Sequence, residues 1–409
     1  MSGHPVRLKD LFNTAVIVAA LGYFVDIYDL ILFSIVRVPS LRDLGLTPQQ
    51  ITDQGLLLLN VQMFGMLLGG ILWGVLGDKK GRIQLLFGSI FLYSVANIAN
   101  GLVDSIEMYA VLRFIAGIGL AGELGGGITL VAEIMPKETR GYGTMIIATV
   151  GVAGAVLAYY IVEHFDWRNA YFIGGGLGLA LLVLRVSVYE SGMFNAVKES
   201  KVERGNFFSL FTHKERFLRY MKCVLIGLPT WYCIGILVTL SPEFAKALQI
   251  DGSVAAGRAV MFFYLGLIPG DFLSGLLSQL MKSRRRVVLM FLLLNCAAVA
   301  AFFLSNGSTA DTLYGISFFL GFSVGYWAIF VTNAAEQFGT NLRATVATTV
   351  PNMARGATVP ISIAFTYAAS SFGMLAGGAL IGILCLSIAF YALYHLEETF
   401  GRDLDFIEQ

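Results

Sequence analysis

The sequence predicts an all-α integral membrane protein of twelve transmembrane helices, arranged as two pseudo-symmetric six-helix bundles. Three observations carry this expectation: a composition too apolar for a soluble domain, twelve long apolar runs, and a repeat relating the two halves of the chain. Of the 409 residues 56% are hydrophobic and only 13% charged, with a mean hydropathy of +0.73. Soluble domains carry about a quarter charged residues. A large soluble enzyme would also show polar helix faces between its buried stripes, and long windows here have none. The 46 glycines, spread through apolar runs, suit membrane helices, where small residues let backbones approach closely. A net charge of +1 gives no bulk attraction to nucleic acid.

A membrane-crossing helix needs about 20 apolar residues. Twelve spans follow, numbered helices 1 to 12: 14–36, 55–77, 84–103, 107–131, 143–163, 169–189, 219–241, 254–280, 287–304, 312–334, 345–370 and 374–396. Polar breaks such as GDKKGR, MPKETRG, HFDWR and MKSRRR separate them. The N-terminal MSGHPVRLKDLF is basic, but no small-residue cleavage site follows the first apolar run, so that run is expected to be a retained helix. An even number of spans puts both termini on one side. Lys and Arg crowd that side, in both tails and the loops after helices 2, 4, 6, 8 and 10. The other side has only Arg37, Arg42, Arg168 and Lys246. Both termini are therefore expected in the cytoplasm, with the protein in the plasma membrane, or the inner membrane of a bacterium. One long polar loop, 190–218, divides an N-terminal bundle (1–189) from a C-terminal bundle with a short tail (219–409).

The halves repeat each other. EIMPKETRG puts Glu133 and Arg140 seven apart after helix 4, and EQFGTNLRA puts Glu336 and Arg343 seven apart after helix 10, displaced by 203 residues. GVLGDKKGR begins at Gly74 and GLLSQLMKSRRR at Gly275, displaced by 201. Two unrelated motifs that agree on the shift indicate duplication, the architecture of secondary transporters.

These motifs carry a resemblance. GVLGDKKGR (Gly74 to Arg82) resembles the signature between helices 2 and 3 of the major facilitator superfamily. RFIAGIGLAGE (Arg113 to Glu123), followed by Glu133, Pro136, Arg140 and Gly141, resembles its helix 4, and YESGMF (Tyr189 to Phe194) the motif ending its helix 6. The paired aspartates of helix 1 and GLAGELGGG narrow the likeness to metabolite:proton and aromatic-acid:proton symporters. Gln279, standing where the first copy has Asp78, is a departure that degrades the second motif. The resemblance implies helices 1, 4, 7 and 10 around a central cavity, 2, 5, 8 and 11 along the interface between halves, and 3, 6, 9 and 12 outside. It makes Arg113 part of a proton-coupling network. It also makes Gly74, Asp78, Arg82, Glu133, Arg140, Glu336 and Arg343 a cytoplasmic gate latched by salt bridges. Topology setting and helix capping account for the same charges without a latch.

Ionisable residues inside a membrane usually face a cavity or a partner. Those deep in the spans are Asp26 and Asp29 (helix 1), Arg113 and Glu123 (helix 4), Asp271 (helix 8) and Arg355 (helix 11); Arg258 and Arg185 sit nearer the ends of helices 8 and 6. None lies deep in helices 3, 6, 9 or 12, as a central aqueous pathway predicts. Asp26 and Asp29 share a helix face, about 18 and 22 Å along it. They are either structural partners of Arg113 or Arg355, or a protonatable site. Two carboxylates this close and poorly solvated raise each other's affinity for a proton. Deep acids outnumber deep bases even if Arg258 reaches inward, so one carboxylate is expected to be neutral in some state. The order of preference is Asp29, Asp26, Glu123, Asp271. Arg113 and Glu123, about 15 Å apart along the axis, are too distant to pair.

Arg355 offers a fork suited to a substrate carboxylate, and serves equally as a bridge to a helix 1 aspartate. Asn352 shares its face. Tyr23, Tyr28, Trp231, Tyr232, Tyr326 and Trp327 are candidate wall aromatics for a planar or apolar substrate body. The expected function is secondary active transport: proton-coupled symport of a small organic anion, a carboxylate or aromatic acid, by alternating access. The expected partners of this monomer are substrate, proton and bilayer, with no cofactor. The competing reading is a proton-coupled exporter, or a carrier of cations held by the helix 1 and helix 4 carboxylates. An enzyme is not expected, because His4, His164, His213 and His395 lie at helix ends or in loops with no nucleophile–base pair in the spans. Cys223, Cys233, Cys296 and Cys385 stand singly in apolar segments as packing residues, so no metal site is expected.

Overall fold

The computed structural model describes residues 14–80, 82–127, 140–190, 207–339 and 342–401. Helix 1 runs Thr14–Asp43, helix 2 Pro48–Lys80, helix 3 Arg82–Asn100, helix 4 Ile106–Gly127 and helix 6 Trp167–Glu190. Helix 5 comes in two pieces, Arg140–Val152 and Gly154–His164. Helix 7 spans Lys214–Val238, helix 8 Ala256–Leu280, helix 9 Arg284–Phe303, helix 10 Ala310–Glu336 and helix 12 Met374–Tyr394. Helix 11 divides at Ala357 into Arg343–Gly356 and Thr358–Phe372. Among the described residues, ten helices are long and apolar enough to cross a membrane, and Leu85–Asn100 is a shorter apolar one. The two abutting pieces of helix 11 complete the twelve expected segments.

Several helices outrun their apolar cores. Helix 1 continues to Asp43 and helix 7 begins at Lys214, inside the loop expected over 190–218. Backbone hydrogen bonding carries on into water after the apolar run stops.

Packing obeys the repeat. Helix 2 lies on helix 4 and helix 8 on helix 10; helix 3 lies on 4 and 6, as helix 9 lies on 10 and 12. Helix 1 packs on 5 and 6, as helix 7 packs on 11 and 12. Between the bundles helix 2 meets 11 and helix 5 meets 8, contacts that exchange under a shift of six helices. Burial is greatest in helices expected around the pathway, although helix 5, at the interface, is only 39% buried. The most apolar window is 83% buried in helices 1 and 7, 61% in helix 4 and 67% in helix 10, but 39, 44 and 39% in helices 6, 9 and 12.

Glycine permits the closest crossings. A Cβ on Gly117 would overlap the Gln62 carbonyl, and one on Gly65 that of Phe114, where helices 2 and 4 cross. One repeat later, a Cβ on Gly321 would overlap the Phe263 carbonyl and one on Gly266 that of Phe318, where helices 8 and 10 cross. Gly321→Ala forces that pair apart, and overpacking of this kind costs about 1–3 kcal/mol. A thermal melt of the purified protein is expected to fall by several degrees in Gly321→Ala. It should stay unchanged in Gly315→Ala, whose Cβ meets nothing within 4 Å.

Candidate functional site

The halves meet at a buried ion pair. Asp26 Oδ2 of helix 1 lies 3.9 Å from Nη2 of Arg355 on helix 11. Arg355 also donates from Nη1 to Asn352 Oδ1 (3.2 Å) and lies 5.9 Å from the ring centroid of Trp231. Trp231 stands edge-on to Trp327 at 6.1 Å, and Trp327 stacks on Phe330 at 4.8 Å. Tyr23, one turn before Asp26, faces Trp327, and Tyr264 of helix 8 faces Tyr23 and the ion pair.

Breaks in the helices aim these side chains. Helix 7 turns at Ile226–Gly227, restarts with Pro229 in the first turn of Leu228–Tyr232, and widens to a π-helix over Cys233–Val238. Such π turns gather at functional sites. Adjacent helical residues point about 100° apart. With Trp231 aimed at Arg355, Tyr232 turns away, and its hydroxyl donates to Gly378 O of helix 12 (2.7 Å). Tyr28 donates to Ala170 O at the start of helix 6 (2.9 Å), and Tyr326 to Ile226 O in the helix 7 break (2.9 Å). Of the expected wall aromatics, Tyr23, Trp231 and Trp327 gather at the ion pair, whereas the other three brace helix contacts.

The two aspartates diverge. Asp29 faces Arg113 and Asn97 within the first bundle, not the opposite half. Arg113 donates to Asn97 Oδ1 at 3.4 Å and lies 5.5 and 5.6 Å from the rings of Phe33 and Tyr171. Among the described residues no hydrogen bond reaches a carboxylate oxygen of Asp26 or Asp29.

Glu123 is held by Arg185 of helix 6 through two hydrogen bonds of 3.0 and 2.8 Å, and by the Ser89 hydroxyl at 3.0 Å. The deep positive charges therefore include Arg185, which corrects the expectation that helix 6 supplies none. Arg258 is half exposed and sits 4.0 Å from Asp311 at the end of helix 8, so it does not reach inward. Asp26, Asp29, Glu123 and Asp271 now stand against Arg113, Arg185 and Arg355, and the acids keep their excess. Asp271 plays a capping part: its Oδ1 accepts from Ala328 N (3.2 Å), where helix 10 restarts at Trp327 after its break.

At the end bearing the Lys- and Arg-rich loops, Gly74 of helix 2 faces Thr349 of helix 11, with 3.4 Å between a Cβ there and Cγ2. Helix 4 is interrupted by a turn at Ala121–Gly122, and Asn352 donates from Nδ2 to Ala121 O there (2.7 Å), which binds helix 11 to the first bundle. Glu336 pairs with Arg284 of its own half at 3.2 Å. Arg343 opens helix 11, while Glu133 and the side chains of Asp78, Arg82 and Arg140 lie outside the described residues. At the opposite end a bridge crosses between halves: Arg37 Nη2 lies 2.9 and 3.0 Å from the two Glu243 oxygens. Arg37 also donates to Thr239 O, and the Thr52 hydroxyl to Glu243.

The Major Facilitator Superfamily model matches residues 19–361. The chain belongs to the major facilitator superfamily. It is 26% identical to the niacin transporter NiaP of Acinetobacter baylyi, over 95% of each chain. It is 24% identical to the sialic acid transporter NanX of Escherichia coli, over 95% of this chain and 93% of that one. A gentisate transporter of Corynebacterium glutamicum is 24% identical over 95% of this chain and 88% of that one. This major facilitator protein is thus a membrane transporter and not an enzyme.

Tyr264, the pairing of Arg185 with Glu123 and the Arg37–Glu243 bridge escaped the sequence reading. Arg37 counted there only as a topology charge, although an acid after helix 7 marked the same end of the facilitator's second half. Glu243→Gln removes the counter-charge of a fully buried Arg37, and stranding a buried charge costs about 3–5 kcal/mol. The halves are therefore expected to part at this end. Spin labels on Thr47→Cys and Lys246→Cys, in a cysteine-free background, should show a longer distance in Glu243→Gln than in the parent.

Proposed function

We propose that this transporter carries a small organic anion together with a proton by alternating access. The observation that carries the reading is the Asp26–Arg355 pair, buried between the halves and walled by Trp231 and Trp327. Arginine keeps its charge under all working conditions, whereas a carboxylate can take a proton. A proton arriving at Asp26 releases the Arg355 fork, which then takes the substrate carboxylate through two hydrogen bonds. The indole rings suit a flat or apolar substrate body. Asp29, three residues on and facing Arg113, is a second proton station. Asn352, bonded to Arg355, positions the fork. Relatives named for niacin, sialic acid and gentisate, each an acid, support the anion class.

In this reading the bundles, 1–189 and 219–409, rock about the midplane site while 190–218 links them in the cytoplasm, where both termini lie. Arg37–Glu243 closes the outer end, and the signature residues around Gly74 close the inner one. The protein works as a monomer in the plasma membrane.

Reconstituted vesicles give the test. Uptake of a carboxylate substrate should rise as the external medium is acidified, collapse with a protonophore, and be indifferent to exchanging sodium for potassium. Arg355→Lys keeps the charge but loses the fork, and losing one charge-assisted hydrogen bond should raise KM about tenfold or more. Asp29→Asn should retain substrate exchange and lose proton-driven accumulation. Transport of amines that survives Arg355→Ala would overturn the anion reading in favour of a cation carrier.

A further inference from the structure

A groove of about 770 Å³ opens between the basic start of helix 9 and the end of helix 12, away from the central site. Its polar wall holds Lys282, Arg285 and Arg286, with Glu398 as the sole lining acid. Glu398 is already engaged, accepting from the backbone amides of Arg284 (2.9 Å) and Arg285 (3.2 Å) and from the Ser283 hydroxyl. Burial pushes its carboxyl up, but these bonds and one from the Phe400 amide outweigh it and hold it below the ordinary carboxylate range. Glu398 therefore stays an anion that caps helix 9, so the start of that helix is filled. Arg285 is drawn to Tyr394 O at 3.0 Å. Lys282 and Arg286 are both exposed, and neither has an ion-pair partner among the described residues.

The other wall is apolar and continues along the helices. Leu289 is 42% exposed, Tyr391 64% and Tyr394 77%, and Leu293, one turn past Leu289 on helix 9, is 56% exposed. Helices 9 and 12 are among the least buried, so this wall faces lipid. Tyrosines cluster at the level where hydrocarbon gives way to headgroups. Cations between helix ends at that level complement phosphate.

We propose that this groove binds an anionic phospholipid. Its headgroup phosphate would sit between Lys282 and Arg286, and one acyl chain would lie along Leu289, Leu293 and Tyr391. A free phosphate would use the cations and leave the apolar wall untouched, whereas a lipid engages both surfaces.

The test uses the full-length protein in detergent, titrated with phosphatidylglycerol, phosphatidylcholine or inorganic phosphate. Melting temperature is followed, together with lipid adducts in native mass spectra. Phosphatidylglycerol should raise the melting temperature by several degrees more than phosphatidylcholine, and phosphate should have no effect. Lys282→Asn/Arg286→Gln should lose at least half of that difference and one bound lipid; asparagine tolerates the positive φ of 49° at position 282. Arg42→Gln/Lys246→Gln, an equal loss of charge from exposed positions at the opposite end, should keep both. Equal stabilisation by the two lipids, full activity of phosphate alone, or the same lipid preference in the Lys282/Arg286 variant would each overturn the proposal. So would an equal loss in both double variants, which would reduce the effect to net charge.

Discussion

A guanidinium buried in an apolar protein must have an anion beside it, because leaving it alone costs several kcal/mol and it cannot shed its proton. That constraint organises the molecule. Three buried arginines are ion-paired to an acid on another helix, Arg355 to Asp26, Arg185 to Glu123 and Arg37 to Glu243, and a fourth, Arg113, lies within the electrostatic reach of Asp29. Arg185–Glu123 and the Arg113–Asp29 neighbours stay within the first bundle, the former tied by two hydrogen bonds. The other two cross between bundles, one at the centre and one at an end, so they depend on how the halves are set against each other. A further buried acid, Asp271, has the amide end of a broken helix in place of an arginine.

Much of the fold was legible because the bilayer imposes a length. Each apolar run had to be a spanning helix, and the duplicated motifs related the halves before any contact was known. Helix ends were less legible, since hydropathy measures hydrocarbon thickness and says nothing of where backbone hydrogen bonding stops. Helix 7, starting at Lys214, is an example. The breaks in helices 4, 7 and 10 were hidden among glycines and prolines that occur throughout the chain.

The candidate site was legible in its charges and not in its aromatics. Asp26 and Arg355 stood out because their burial is costly, and a bridge between them was one of two readings left open. Tyr232 and Tyr326 looked equivalent to Trp231 and Trp327, because a period of 3.6 cannot be carried across a break whose geometry is unknown; Tyr28, on unbroken helix 1, is five residues past Tyr23 and so points away from its face. The partner of Arg185 was missed through its reach: a residue near a helix end can extend its side chain back to a partner deeper in the bundle.

Glu398 has a further consequence, in the order of synthesis. The start of helix 9 is closed by a carboxylate more than a hundred residues later in the chain, and Thr399 beside it bonds the Glu336 carboxylate that ends helix 10. A nascent chain that has already threaded helices 9 and 10 into the bilayer still leaves those helix ends open to water. They close only once the segment after helix 12 has been made and has folded back on them, so the second bundle reaches its final rigidity after all six of its helices have been threaded, with Glu398 and Thr399 as its fastening.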